Sequence, residues 1–328
     1  MATMSLGKAL NNGLRRAMEH DPKVVLMGED IGKLGGVFRV TEGLQRDFGD
    51  RRVIDTPLAE SGVIGTAVGL AMRGYRPVCE IQFDGFIYPA FDQIVSQVAK
   101  LRYRNEGRVS VPLTIRVPFG GGVGAVEHHS ESPEAYFAHT AGLRVVTPSN
   151  AADGYRMIQQ SIASDDPVVF FEPKRRYWEK GEVDDDDAAL SDVPLHRAAV
   201  LTIGSDVTIA AYGPMVATAL QAARIGHAEG TSIEVIDLRS LSPVDFETIE
   251  ASVRKTGRLV VAHEASVFGG LGAEIAARVS ERCFFHLEAP VRRVGGFATP
   301  YPPSRAERHF LPDADRILHE VDRSLQPS

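Results

Sequence analysis

The chain has 328 residues, of which 44% are hydrophobic and 24% are charged, and its formal net charge is −7. This length accommodates two globular domains, and the negative charge disfavours a nucleic acid as the partner. No apolar run approaches the ~18 residues of a membrane span, and the amino-terminal segment lacks the hydrophobic region of a signal peptide. Cys79 and Cys283 form no metal-binding spacing, so we expect buried thiols in a reducing, cytoplasmic compartment.

A repeat of large apolar residues predicts the first helix. Leucine or methionine occurs at every fourth position from Leu6 to Met18, and Ser5 precedes the repeat. This pattern is typical of an amphipathic helix, and serine is a favoured residue at the N-cap. We therefore predict a helix over Ser5–His20 that is capped by Ser5.

Short apolar runs alternate with helical patterns through the first half of the chain. The strands are predicted at Val24–Met27, Pro77–Ile81, Leu113–Val117, Leu143–Thr147 and Pro167–Phe171. The helices between them are predicted at Ser61–Arg73, Pro89–Tyr103 and Ala151–Ala163. Strands that alternate with helices predict a mostly parallel, doubly wound sheet, in which ligands bind at the carboxyl ends of the strands.

A second alternating unit follows the acidic run Asp184–Asp187, which lacks apolar periodicity and is typical of a solvated linker. Its strands are predicted at Val207–Ala211, Ile233–Leu238 and Leu259–His263, and its helices at Val216–Glu229, Phe246–Lys255, Gly272–Glu281 and Ala314–Leu325. The fold class is therefore predicted as α/β with two doubly wound domains, residues 1–183 and 205–328, joined by a linker over residues 184–204.

The segment Asp55–Gly62 contains the first candidate functional residue, Glu60, at the predicted start of a helix rich in small residues. Local physics favours a surface role, because the helix dipole stabilises an acidic residue in the first turn by ~0.3–1 kcal/mol. Three further features follow in order near predicted strand ends: Phe83–Phe86, the loop Gly120–Gly124 and the pair His128-His129. A carboxylate, aromatic rings, a glycine loop and an imidazole together indicate a buried site for a ring-shaped cofactor.

Each of these features also has a structural interpretation. Phe86 could stack on a flat heterocycle or pack in the core, and the sequence leaves both open. The glycine loop allows close backbone approach to a ligand, but no helix follows it, so it does not match a dinucleotide-binding motif.

The two adjacent histidines would face opposite ways in an extended loop. We therefore expect one of His128 and His129 at the site and the other in a structural or solvent-facing position, since histidine suits acid–base work at neutral pH. The pair His263-Glu264 at a strand end is a second candidate. No second cluster of His or Cys is present to complete a zinc site.

Six motifs occur in order along the chain: Gly28-Glu29-Asp30, Gly36-Val37-Phe38, Asp55-Thr56-Pro57-Leu58-Ala59-Glu60, Pro89-Ala90-Phe91-Asp92-Gln93, His129-Ser130-Glu131-Ser132-Pro133-Glu134-Ala135 and Val235-Ile236-Asp237-Leu238-Arg239. In this combination the chain closely resembles the beta chain of the 2-oxo acid dehydrogenases, from Ser5 to the terminal helix. The segment from His129 to Ala135 and the stretch Gln82–Phe86 are more similar to the branched-chain enzyme than to the pyruvate enzyme.

The resemblance implies a fold, a partner and a cofactor. The fold would consist of an N-terminal pyrimidine-binding domain and a C-terminal transketolase-like domain. An alpha subunit would carry the ligands of the diphosphate and of Mg²⁺, which agrees with the lack of a Gly-Asp-Gly tripeptide followed by a distant Asn in this chain. The active unit would be an α2β2 heterotetramer with thiamine diphosphate at each alpha–beta interface, and no metal ligands are expected here.

The resemblance also assigns four residues to the cofactor. Glu60 would form a hydrogen bond with N1′ of the aminopyrimidine ring and so favour the tautomer that removes the proton from the reactive thiazolium carbon. Phe86 would pack on the pyrimidine, and Leu58 and Gln82 would line that pocket. Branched-chain relatives carry tyrosine at the position of Phe86, so the departure leaves a polar role of this position open.

By the same resemblance, the second catalytic residue is a histidine. His129 would face the substrate carboxylate, or supply a proton as the acyl group passes to lipoamide. The doubled histidine leaves the assignment open, and we favour His129 over His128 because Ser130 follows it.

The first functional hypothesis is therefore a beta subunit that, with its alpha subunit, catalyses oxidative decarboxylation of branched-chain 2-oxo acids and reductive acylation of lipoamide on an acyltransferase core. A pyruvate or acetoin dehydrogenase is the alternative within the same class. Two hypotheses of other kinds stay open: a non-catalytic docking subunit for the acyltransferase core, and a self-sufficient transketolase-type enzyme.

Overall fold

The computed structural model describes residues 1–184 and 193–326. Strands of the first half are β1 (Ala2–Ser5), β2 (Val24–Gly28), β3 (Val53–Asp55), β4 (Arg76–Glu80), β5 (Thr114–Phe119), β6 (Arg144–Val146), β7 (Val168–Pro173) and β8 (Lys180–Val183). Strands of the second half are β9 (Ala199–Thr202), β10 (Val207–Ala211), β11 (Ile233–Asp237), β12 (Ser240–Ser242), β13 (Leu259–Ser266) and β14 (Arg292–Gly296).

The α-helices divide between the halves in the same way. Those of the first half are α1 (Leu6–His20), α2 (Leu44–Phe48), α3 (Glu60–Met72), α4 (Leu101–Arg104), α5 (Glu134–Ala138) and α6 (Ala151–Ala163). Those of the second half are α7 (Met215–Ala228), α8 (Phe246–Thr256), α9 (Leu271–Arg282), α10 (Glu307–Phe310) and α11 (Ala314–Leu325). No helix within residues 1–184 and 193–326 is long and apolar enough to cross a membrane.

Two sheets organise these elements. The first has seven strands in the order β12-β6-β7-β5-β4-β2-β3, and its neighbours are parallel except for β12 and β6. The second has five strands in the order β14-β13-β10-β11-β9, with only β9 antiparallel to its neighbour. A separate antiparallel ribbon joins β1 to β8. These two α/β units confirm the predicted fold class.

Buried apolar residues cover both faces of the seven-stranded sheet. In β2, Val25 and Met27 belong to the core cluster on the side of α3, whereas Val24 and Leu26 belong to the cluster on the side of α1. A strand that is buried on both faces needs a continuous apolar run, which explains why these runs were visible in the sequence. The core on the α3 side continues into the second half through Tyr212, so the two halves pack against each other.

Most predicted helices are confirmed, with one clear exception. Helix α1 begins after Ser5, whose hydroxyl accepts a hydrogen bond from the Lys8 amide at 3.3 Å, as predicted. The helix predicted over Pro89–Tyr103 is wrong as a single element: a 3₁₀-helix spans Asp84–Ala90, a π-helix spans Gln93–Val98, and α4 follows. Pro89 is the first residue of the predicted helix, where proline is tolerated, and apolar spacing alone does not distinguish these three helix types.

Tertiary pairing also places strands that the sequence pattern did not indicate. Strand β9 lies inside the predicted linker 184–204, yet it pairs with β11 at the edge of the second sheet. Most of the acidic run, residues 185–187, lies outside the described residues. Strand β12 comes from the second half of the chain but pairs with β6 in the first sheet, so a strand crosses the predicted domain boundary.

Candidate active site

Four neighbouring parallel strands, β5, β4, β2 and β3, bring the predicted site residues to one edge of the sheet. Leu58 and Glu60 follow β3, Gln82 and Phe86 follow β4, and His129 follows β5. Ligands bind outside the carboxyl ends of such strands, because the following loops and helix N-termini meet there. The sheet therefore gathers on one edge residues that are as much as 71 positions apart in the chain, from Leu58 to His129.

Glu60 is the first residue of α3 and is half-buried. Its N-cap is Ala59, which has no side-chain oxygen to bond the first amides of the helix. The Glu60 carboxylate therefore lies at the positive end of a helix dipole that no capping side chain neutralises. Leu58, two residues earlier, is 81% exposed, which is unusual for a large apolar side chain beside a candidate site.

Glu29 is a second carboxylate at this edge, and no sequence pattern had made it a candidate site residue. It follows β2, and its Oε1 atom is buried without a hydrogen-bond partner among the described residues. Burial, together with the charges of Glu60 and Asp30, raises the pKa of the Glu29 carboxyl above its usual range. The motif Gly28-Glu29-Asp30 marked this strand end in the sequence, but its burial depends on the neighbouring strands. Glu29 and Glu60 thus form a pair of like charges at the edge.

Gln82 connects this pair to the next strand. Its amide Nε2 donates to the backbone oxygen of Glu29 at 3.4 Å. The Thr56 hydroxyl, at the end of β3, is also buried without a hydrogen-bond partner in the described part of the chain. A buried polar group without a partner is costly, so these atoms mark a place where a bound molecule could supply one.

An aromatic cluster forms the other side of the site. The ring of His129 stacks on Phe83 with centroids 4.0 Å apart and meets the edge of Phe86 at 5.1 Å. Nδ1 of His129 lies 2.9 Å from the carbonyl oxygen of His128, so Nδ1 donates and Nε2 is the acceptor when the ring is neutral. The cluster thus presents an imidazole with a defined orientation.

The extended loop expected around the two histidines is wrong, whereas the expected difference in exposure is observed: His128 is exposed and His129 is half-buried. Residues Glu127–His129 form a 3₁₀ turn rather than an extended loop, and the rings of His128 and His129 lie 4.4 Å apart. Both rings also lie near Phe86, with the ring of His128 at 6.1 Å. The turn fits closely because Gly85 has no side chain: a Cβ atom there would come within 2.4 Å of the His128 carbonyl oxygen.

The second candidate pair, His263-Glu264, does not join this site. His263 is fully buried, its Nδ1 lies 2.9 Å from the Ala265 carbonyl oxygen, and burial lowers its pKa to about 4. Glu264 Oε1 lies 2.6 Å from Nη2 of Arg175. These contacts indicate structural roles for both residues.

Several features come together at this sheet edge. They are a carboxylate at a helix N-terminus, unpaired buried acceptors, aromatic rings and an exposed leucine. Within the described ranges, 1–184 and 193–326, no three His, Cys, Asp or Glu side chains are grouped as a metal ion would require. These residues fit a flat nitrogen heterocycle that forms hydrogen bonds along one edge and stacks on its face.

Comparison with known proteins identifies the class to which this fold belongs. The model of the transketolase pyrimidine-binding domain matches residues 2–179, and that of the transketolase C-terminal domain matches residues 196–317. A solved structure described as a split-gene transketolase, an inactive beta4 tetramer, superposes with a TM-score of 0.77 at 26% identity and covers 98% of both chains. The fold is thus that of the transketolase-like proteins.

Sequence relatives narrow the class further. A pyruvate dehydrogenase E1 component subunit beta from Leifsonia xyli subsp. xyli is 61% identical over 98% of this chain and 95% of the relative. A 3-methyl-2-oxobutanoate dehydrogenase subunit beta from Mycobacterium tuberculosis is 52% identical, over 99% of this chain and 92% of its own length. A 2-oxoisovalerate dehydrogenase subunit beta from Pseudomonas aeruginosa is 46% identical, over 99% and 96%. The chain belongs to the thiamine diphosphate-dependent 2-oxo acid dehydrogenase beta chains.

Proposed function

We propose that this chain is the beta subunit of a branched-chain 2-oxo acid dehydrogenase and acts with an alpha subunit in an α2β2 heterotetramer. The observation that carries the proposal is the one-sided site, in which Leu58 is exposed and the Glu29 carboxyl has an unpaired buried oxygen. A second subunit that covers this edge would bury the leucine and complete the site. We also expect the complex in the cytoplasm, where the buried thiols of Cys79 and Cys283 stay reduced.

The cofactor proposed for this edge is thiamine diphosphate, which when bound supplies an electron sink for decarboxylation of a 2-oxo acid. We assign to Glu60 the hydrogen bond with N1′ of the aminopyrimidine ring. Phe86 would pack against the face of that ring, and Leu58 and Gln82 would line its pocket. The ligands of the diphosphate and of Mg²⁺ are expected on the alpha subunit.

We propose that His129 serves the substrate rather than the cofactor. Its stacking on Phe83 fixes the ring plane, and the hydrogen bond from Nδ1 directs Nε2 away from the His128 carbonyl. An imidazole held in this way can bind the substrate carboxylate or give a proton during acyl transfer to lipoamide on the acyltransferase core. His128, whose side chain is 52% exposed, is the less constrained of the two.

The substrate is tested by decarboxylation of ¹⁴C-labelled 2-oxo acids by the chain reconstituted with its alpha subunit. The similarity of Gln82–Phe86 and His129–Ala135 to the branched-chain enzyme favours 3-methyl-2-oxobutanoate. We expect its kcat/KM to exceed that of pyruvate by about 10-fold to 100-fold, because acyl pockets discriminate methyl groups by ~1–3 kcal/mol.

Pyruvate is the second candidate substrate, because the relative from Leifsonia xyli, at 61% identity, is named as a pyruvate dehydrogenase subunit. A preference for pyruvate over 3-methyl-2-oxobutanoate would contradict the branched-chain proposal and support this alternative. The hypothesis of a self-sufficient transketolase-type enzyme predicts that the isolated chain binds thiamine diphosphate and is active alone. Calorimetry on the isolated chain tests the binding, and the decarboxylation assay with each subunit alone tests the activity.

A further inference from the structure

The glycine loop Gly120–Gly124 binds carboxylates of its own chain. It begins a longer loop, residues 120–131, which is closed at its base by a hydrogen bond from the Gly120 amide to the Glu131 carbonyl oxygen at 2.9 Å. Gly120, Gly122 and Gly124 have φ angles of 82°, 89° and 71°, a region that residues with side chains rarely adopt. This conformation exposes several backbone amides along the loop, and such groups of amides bind anions.

Two carboxylates from the second half of the chain accept hydrogen bonds from these amides. The Gly121 amide donates to Glu264 Oε2 at 3.0 Å, and the Gly122 amide donates to Glu307 Oε1 at 2.8 Å. The Gly124 amide donates to Glu307 Oε2 at 3.2 Å. We call Glu264 and Glu307 the carboxylate latch. Hydrogen bonds to an ionised acceptor are stronger than those between neutral groups, so the latch fixes the loop firmly.

The latch residues are themselves held in place, but to different degrees. Glu264 is buried and contacts Arg175, as described above, whereas Glu307 is half-buried and accepts a hydrogen bond from the Tyr301 hydroxyl at 2.7 Å. A Cβ atom on Gly121 would come within 1.9 Å of that hydroxyl, so glycine is needed for this approach. Glu307 is thus the latch residue that can be changed without leaving a buried cation unpaired.

The latched loop leads directly to the candidate site. The turn Glu127–His129 begins three residues after Gly124. At its far end, the Glu131 amide donates to Asp84 Oδ2 at 2.7 Å, and Asp84 forms a buried ion pair with Lys174. The histidine segment is therefore held between the contact of Gly124 with Glu307 and the contact of Glu131 with Asp84.

We propose that Glu307 is a positioning residue for the His128-His129 segment. By binding the amides of Gly122 and Gly124, its carboxylate sets the course of the loop and so the place of the imidazoles against Phe83 and Phe86. The inference deepens the proposed function, on which its catalytic part rests. It also means that the second half of the chain acts on the site through the loop that carries the histidines.

Hydrogen–deuterium exchange of the full chain tests the latch without any cofactor or activity. We expect Glu307→Ala to exchange the amides of Gly122 and Gly124 about 10-fold to 100-fold faster than the unsubstituted chain, because these two amides lose their hydrogen-bond acceptor. Glu307→Gln keeps an acceptor oxygen without its charge and should fall between the two. Glu281→Ala, at an exposed position of α9, is the matched control and should leave this exchange unchanged. Equal exchange in all four proteins would overturn the latch.

Kinetics of the same variants with the alpha subunit test the positioning role. We expect Glu307→Ala to lower kcat about 10-fold or more while KM for the 2-oxo acid changes less than about 3-fold, and Glu307→Gln to recover part of kcat. Faster exchange with unchanged kcat would overturn the positioning role. If the unsubstituted pair decarboxylates no 2-oxo acid, the proposed function fails, and the exchange result still decides whether the latch exists.

Discussion

Two groups of carboxylates in and beside the seven-stranded sheet differ in whether the fold gives them a positively charged partner. In the interior, Arg116 donates to Glu172 from Nε and Nη2, at 2.7 and 3.0 Å, and to Glu80 from Nη1 at 2.7 Å. Each of these side chains is buried, and the Tyr177 hydroxyl donates a further hydrogen bond to Glu172. At the edge, Glu29 and Glu60 repel each other, and one oxygen of Glu29 is left without a partner.

The difference distinguishes structural charges from functional ones. A buried charge is tolerated only when the fold pairs it, and the fold pairs Glu80 and Glu172 with an arginine on the strand between them. Carboxylates that the fold leaves unpaired at a ligand-binding edge cost stability, which a bound molecule or partner can restore. We therefore expect interior substitutions to change stability and edge substitutions to change activity.

The largest expected effect comes from breaking the interior group. Arg116→Met keeps the approximate length of the side chain but leaves Glu80 and Glu172 buried without their cation. We expect the free energy of unfolding to fall by about 3–5 kcal/mol, which urea denaturation measures. Adding Glu80→Gln and Glu172→Gln should recover part of the loss, since the uncompensated charges are then removed. A loss below about 1 kcal/mol for Arg116→Met would contradict this account.

The second-largest effect is expected from Glu60 at the ligand-binding edge of the sheet. It distinguishes the hypothesis of a catalytic subunit from that of a docking subunit. Glu60→Gln should lower kcat of the alpha–beta pair by about 100-fold to 1,000-fold, because the amide cannot exchange a proton with a bound ring. Stability should change by no more than ~1 kcal/mol, since Glu60 lies in a first helical turn.

Glu274→Gln is the matched control for Glu60→Gln. Glu274 is also an acid in a first helical turn, that of α9, and it is exposed. If Glu60→Gln and Glu274→Gln both leave turnover intact while the complex assembles, Glu60 has only its helix-end role, and the docking subunit is the better hypothesis.

Glu134 is intermediate between the two groups of carboxylates, because only one of its oxygens has a hydrogen-bond partner among the described residues. It is fully buried; the Tyr212 hydroxyl donates to its Oε1 at 2.7 Å, while its Oε2 has no hydrogen-bond partner within the described residues. Burial raises its pKa from 4.5 to about 7, and the charges of Glu264 and Asp84 act in the same direction. The folded protein therefore keeps this proton up to a higher pH than the unfolded chain does.

The sign of the resulting pH dependence follows from that difference. The stability that the proton contributes is complete below pH 4.5 and is lost as the pH rises through about 7. Glu134→Gln carries no titratable group, so it should match the unsubstituted protein near pH 5 and be more stable at pH 8, by about 1–3 kcal/mol. Urea denaturation at the two pH values measures this. An equal difference at both pH values would mean that Glu134 does not titrate in this range.

The smallest expected effect comes from an ion pair of the same chemistry on the surface. Arg108 Nη2 lies 2.9 Å from Glu106 Oε2, but the two side chains are 81% and 75% exposed. Arg108→Ala should change the free energy of unfolding by at most about 0.5 kcal/mol, because water screens the pair. A loss that approached the effect of Arg116→Met would show that burial is not what separates the two classes of charge.

Much of the fold was predictable because the patterns that determine it are local. Helices α1, α6 and α11 have regular apolar spacing, and the buried strands β2, β5, β7 and β10 read as short apolar runs. The region Pro89–Tyr103 has similar apolar spacing but passes through 3₁₀, π and α segments. These helix types differ in which carbonyl accepts each amide hydrogen bond, and apolar spacing alone does not report that difference.

The site was predictable as a set of residues but not as an arrangement. Glu60, Phe86 and the histidine pair were candidates from the sequence pattern, the resemblance to a family added Gln82 and favoured His129, and the sheet brings their strand ends to one edge. Glu29 was not predicted, because an acidic residue beside a glycine has no unusual sequence pattern. Its distinguishing feature is a buried oxygen atom, which only the folded chain shows. The orientation of the two imidazole rings could not be predicted either, because it depends on a 3₁₀ turn that packs against Gly85.

The alternation of strands and helices can be read from the chain alone, because the spacing of nearby apolar side chains reflects the burial of one face of a helix or both faces of a strand. Which charges are paired depends instead on how distant segments pack together. Arg116 meets Glu172 across 56 positions, and Gly122 meets Glu307 across 185. The energy of a charge depends on the distance to its partner in space and on exclusion of water, and neither quantity is a property of neighbouring residues in the chain.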